Sequence, residues 1–80
     1  MRISEKELKK IISKALNVKL SLITDNTNSD KMEEWDSLGQ LSIISSLDKK
    51  FSGKIDLSKA NNLNSYKNIK NFLKKKSIMK

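Results

Sequence analysis

Between Ser37 and Phe51 the apolar residues Leu38, Leu41, Ile43, Ile44, Leu47 and Phe51 are spaced for an α-helix. At about 100° per residue they spread over an arc of roughly 220°. A helix apolar over more than half of its circumference needs several neighbours. This stretch is therefore expected to be the central helix of a small bundle. Its polar sector carries Ser42, Ser45, Ser46 and Lys49, mostly short side chains that another protein could approach closely. Asp36 stands where an N-cap belongs, with Ser37 as the first helical residue, and Gly53 is the expected C-terminal stop. Free backbone N–H groups and the positive end of the helix dipole favour an anion at such a start, including a phosphate. The hydroxyl of Ser37 thus lies where a phosphate ester would be stabilised. Leu38 is expected to anchor the first turn in the core. Gly39 is expected to keep the surface beside Ser37 uncluttered, at some cost in helix propensity.

The rest of the chain supplies neighbours for that helix. Ser4-Glu5-Lys6-Glu7 is a capping box, and Leu8, Ile11, Ile12, Ala15 and Leu16 form one face of a helix from about Glu5 to Leu16. Asn17 is a natural stop. Residues 17–35 read as a long ordered loop, pinned by Val18, Leu20, Leu22 and Ile23 and turning through Thr24–Asp30. Trp35 is expected as a half-buried residue fixing this loop to the bundle, in preference to a contact with a partner enzyme or cargo. Residues 55–60 read as a short helix capped by Asp56, with Leu63 packing inward beyond it. Ser65 caps the last helix, whose stripe is Tyr66, Ile69, Phe72 and Leu73. The expected fold is all-α, a single domain over residues 1–80. It is a small four-helix bundle, three longer helices and one short, with a long ordered loop between helices 1 and 2.

Composition removes several chemistries. The 80 residues include no cysteine and no histidine. Disulfides, thiolate metal sites and Ser–His or Cys–His nucleophiles are therefore excluded, and no metal site is expected. No segment is apolar enough to serve as a signal peptide or a membrane span, and a cytoplasmic location is expected. The net charge of +8 is uneven. Residues 1–40 hold seven Lys/Arg and seven Asp/Glu, whereas residues 41–80 hold ten Lys and two Asp. The alternative function is therefore a basic helical module. It would bind nucleic acid or an acidic protein through the lysine-rich C-terminal half, including Lys70, Lys74, Lys75, Lys76 and Lys80.

Asp36-Ser37-Leu38, followed by Leu41, Ile44, Leu47, Asp48 and Phe51, resembles the acyl carrier protein family. The resemblance covers nearly the whole chain, including Ile23-Thr24-Asp25-Asn26-Thr27, the Asp56-capped segment and the Ser65-capped helix, in family order and spacing. Trp35-Asp36-Ser37-Leu38-Gly39 is similar to stand-alone carriers of specialised pathways. The resemblance implies that Ser37 receives 4′-phosphopantetheine from coenzyme A through a phosphopantetheinyl transferase. The thiol of that arm would then carry an acyl or aminoacyl group as a thioester. The chain would be a carrier and not an enzyme, a monomer served by a loading ligase and by acyltransferases, with no nucleic acid partner. The sequence departs from housekeeping fatty-acid carriers, which are acidic along this helix. Ser42 stands where they usually have Glu, and Lys49 and Lys50 follow Asp48. Such changes weaken recognition by partners selected for an acidic face. They point instead to a dedicated biosynthetic pathway. Ile44, Leu47 and Ile69 could line a space for an acyl chain or serve ordinary packing.

Overall fold

The computed structural model describes residues 2–52 and 63–79. They form three α-helices, α1 (Glu5–Leu16), α2 (Ser37–Lys50) and α3 (Tyr66–Lys75), with a 3-10 turn at Leu20–Leu22. Among the described residues there is no strand, only isolated bridges pairing Ile3 with Met79 and Asn28 with Ser65. The expected short helix over 55–60 and the stop at Gly53 lie outside the described residues.

Local chemistry sets the helix ends as the sequence indicates. Ser4 Oγ accepts a hydrogen bond from the Glu7 backbone N–H at 3.2 Å, and Ser65 Oγ accepts one from Asn68 N–H at 3.1 Å. Asn17 takes the left-handed conformation (φ 57°, ψ 48°) and turns its N–H back to the Lys14 carbonyl. Asparagine tolerates that region, so α1 stops there without glycine. α2 gives way to Phe51, and Ser52 then adopts φ 53°.

Packing corrects the expected hierarchy. α1 is the helix that packs against α2, α3 and the 3-10 turn alike. Its Leu8, Ile12 and Leu16 are buried with Ile43 and Leu47 of α2 and with Tyr66, Ile69 and Leu73 of α3. α2 does not use its whole apolar arc. Gly39, Ile43 and Leu47 are buried, Ile44 is half-buried, and Leu38 and Leu41 are 74% and 62% exposed. The buried face is centred on one edge of the arc, where glycine lets two backbones approach, and the remainder turns outward. Among the described residues α1, and not α2, is therefore the shared packing partner.

The segment between α1 and α2 is held by fewer apolar anchors than expected. Ile23 is buried and Val18 half-buried, but Leu20 and Leu22 are exposed. Hydrogen bonds do the remaining work. Buried Thr27 donates through Oγ1 to the Leu22 carbonyl at 2.9 Å and accepts from Thr24 N–H at 2.8 Å. Its own carbonyl accepts from Tyr66 N–H at 3.0 Å, and Ser29 N–H donates to the Asn64 carbonyl at 2.9 Å. The loop is thus stitched to the start of α3. The chain ends are joined similarly: Ile3 and Met79 are buried, and Ile3 N–H donates to the Ile78 carbonyl at 2.8 Å.

One polar cluster links α1 to α3. Buried Tyr66 donates its hydroxyl to Glu5 Oε1 at 2.9 Å, and Lys70 Nζ lies 3.1 Å from the same oxygen. Lys70 also approaches Asp25 at 3.6 Å, and the Nζ atoms of Lys9 and Lys70 each stand 5.5 Å from the centre of the Tyr66 ring. The Tyr66 hydrogen bond and then Lys70 hold the Glu5 carboxyl below its usual value of 4.5. Burial, and next the Glu5 contact, push the Tyr66 phenol well above its ordinary range. A carboxylate with a depressed folded pKa stabilises the fold above its unfolded pKa and loses that effect as pH falls through the folded value. Glu5→Gln should therefore lower the melting temperature at pH 7, with the gap from the parent closing below about pH 4.5 in thermal melts followed by circular dichroism. A gap independent of pH would contradict this role for the Glu5 charge.

Candidate functional site at the amino end of α2

Three contacts pin the start of α2, and among the described residues none of them uses the Ser37 side chain. Asp36 is extended (φ −90°, ψ −165°), and its Oδ1 accepts from Gly39 N–H at 2.8 Å, while its carbonyl accepts from Gln40 N–H at 2.8 Å. That is the N-cap that the sequence indicates. Trp35 is 2% exposed, more deeply buried than expected, and its indole N–H donates to Gln40 Oε1 at 2.6 Å. The third contact is Gly39 itself. A Cβ built there would press into the backbone carbonyl oxygen of Glu34 and lie 2.7 Å from Leu16 Cδ2. The glycine is thus a packing device at the α1–α2 contact. It does not serve to clear the surface beside Ser37.

Ser37 is exposed as the first residue of α2. Leu38 is corrected: it is exposed and leaves the core to Ile43 and Leu47. With Leu41 it forms an apolar surface next to Ser37. Ser37 also borders an open depression of about 530 Å³, lined by Ser29, Trp35, Asp36, Ser37, Gln40 and Asn64. Leu47 and Ile69 are fully buried in the core. Among the described residues no cluster of acidic side chains could hold a metal ion.

Sequence reading passed over Gln40, Ser29 and Asn64. Gln40 left a trace: on the helical wheel it falls inside the apolar arc, between Leu47 and Phe51, where a polar side chain needs a partner. Ser29 and Asn64 come from distant parts of the chain and left no local signal. Comparison of the chain with models of protein families, with curated proteins and with solved structures finds no match.

Gly39→Ala separates packing from propensity. On an open helix face this change stabilises by about 1 kcal/mol. Here overpacking against a carbonyl should reverse the sign and destabilise by about 1–3 kcal/mol in urea denaturation. A more stable Gly39→Ala variant would show that α2 does not seat on Glu34 and Leu16 in this way.

Proposed function

We propose that this chain is an acyl carrier whose cargo rides on a 4′-phosphopantetheine arm attached to Ser37. The observation that carries the reading is Ser37 itself, an exposed hydroxyl at the first position of a helix whose capping is done by Asp36. In the loading step a separate phosphopantetheinyl transferase brings coenzyme A. Ser37 Oγ attacks the phosphorus next to pantetheine, the pyrophosphate P–O bond breaks, and adenosine 3′,5′-bisphosphate leaves. The transferase takes the serine proton. The resulting phosphodiester anion sits at the helix N-terminus, where backbone N–H groups and the dipole favour it. The thiol at the arm's end supplies the sulfur that the chain lacks.

The exposed pair Leu38 and Leu41 beside Ser37 suits docking of a loading ligase, an acyltransferase or the transferase itself. Lys49 and Lys50 on the same helix favour partners of a dedicated biosynthetic pathway over enzymes that select an acidic carrier. The reading includes the fourth, short helix capped by Asp56 and a cytoplasmic monomer. Among the described residues no helix is long and apolar enough to cross a membrane. Incubation with coenzyme A and a broad-specificity transferase should add the mass of one arm, and Ser37→Ala should abolish the gain in intact-mass spectra. An unmodified parent protein would count decisively against this function.

A second reading rests on the lysines. Lys6, Lys10 and Lys14 are exposed one turn apart along α1, Lys67, Lys74 and Lys75 are exposed on α3, and Lys9 and Lys70 meet over Tyr66 between them. Exposed lysines thus come from both the charge-balanced front half and the basic back half. Such a surface would bind nucleic acid by charge alone, with affinity falling steeply as salt rises. Elution from immobilised duplex DNA or RNA in a salt gradient tests this, and no retention at low salt removes it.

A further inference from the structure

The depression beside Ser37 is lined by hydrogen-bonding side chains. Gln40 Oε1 is taken by the indole N–H of Trp35. An indole N–H can only donate, so this contact fixes which end of the Gln40 amide is oxygen. Asn64 Oδ1 accepts from Asn68 Nδ2 at 3.3 Å. The Gln40 amide therefore turns its oxygen to Trp35 and leaves its NH2 group for other partners, while the Asn64 amide keeps capacity both to donate and to accept. The Ser29 hydroxyl can donate or accept, and the buried indole of Trp35 supplies an apolar wall. Among the described residues no lysine or arginine lines the space, and Asp36 stands at its rim. A ligand that fits is uncharged along its length, rich in carbonyl acceptors and partly aliphatic. A strongly anionic one does not fit.

We infer that the depression is a docking site for the pantetheine part of the arm, which would fold back from Ser37 onto Gln40, Trp35 and Asn64. This inference rests on the carrier reading above. Pantetheine has the matching chemistry: two amide carbonyls, one hydroxyl, a gem-dimethyl group and short methylene links. The space of about 530 Å³ lies within the range that accommodates small molecules. The open shape makes the site weak, and the tether compensates. A flexible linker holds its end at an effective concentration on the order of millimolar. A site with Kd of about 1 mM, too weak to capture free pantetheine in dilute solution, is then about half-filled by the attached arm. The docked arm keeps its thioester close to the protein between encounters, and a partner enzyme displaces it at little cost.

The test compares apo and holo protein by nuclear magnetic resonance, with intact mass confirming the arm on each holo sample. Trp35 is the only tryptophan, so its indole N–H gives a single unambiguous signal. Docking predicts that loading shifts this signal and the side-chain NH2 signals of Gln40 and Asn64. It also predicts cross-relaxation from the gem-dimethyl protons to the Trp35 ring. Gln40→Glu keeps an oxygen for Trp35 but removes the NH2 donor. Loss of one hydrogen bond weakens docking about fivefold, so an arm that is about half-docked becomes about one-sixth docked and the arm-dependent shift at Trp35 should fall about threefold. Asn64→Asp makes the same exchange on the opposite side and should act in the same direction. A confirmed mass gain with shifts confined to residues 36–38 overturns the docking site and leaves the carrier function standing. No mass gain with an active transferase overturns both.

Discussion

The contact on which this small fold depends is the seating of Gly39 against the Glu34 carbonyl and Leu16. Because residue 39 has no side chain, the first turn of α2 lies directly on the backbone that precedes it and on the end of α1. That choice rotates α2 so that Ile43 and Leu47 enter the core while Leu38 and Leu41 face solvent. The same approach brings Trp35 and Gln40 together across the helix start. Ser37 is consequently held by a frame whose contacts, among the described residues, do not use its side chain. A group attached to it leaves from a defined point and direction, which an exposed loop serine could not provide.

Around this frame, polar contacts do work usually assigned to apolar burial. An 80-residue chain has a modest core, and here the long first loop contributes little to it beyond Ile23 and Trp35. Thr27 and Ser29 instead tie the loop to the start of α3, while Tyr66, Glu5 and Lys70 tie α3 to α1. These bonds define one side of the depression beside Ser37, since Ser29 and Asn64 sit at the stitched junction. Loop stability and the shape of the candidate site therefore depend on the same contacts. Charge follows a parallel logic. Lys9 of α1 and Lys70 of α3 both lie against the Tyr66 ring, whereas Glu33, Glu34 and Asp36 follow one another at the approach to α2.

Sequence by itself determined the pieces. Ser4, Asp36 and Ser65 read as caps because a short polar side chain followed by a helical period has one economical use, to satisfy the free N–H groups of a first turn. The limits of α1, the start of α2 and the stripe of α3 followed from those signals and from periodicity. Ser37 was legible as an accessible hydroxyl for the same local reason. Tertiary structure alone decided which part of α2 is buried. An apolar arc states how much surface a helix can bury, whereas the closest approach of two backbones selects the face, and that depends on Gly39 meeting Glu34 and Leu16. It also decided that α1 is the shared packing partner, that Ile3 and Met79 close the chain ends together, and that Ser29, Gln40 and Asn64 meet beside Ser37. Those residues are 11 and 24 positions apart along the chain. Only the packing of α2 and the start of α3 against the loop that precedes α2 could bring them into one site.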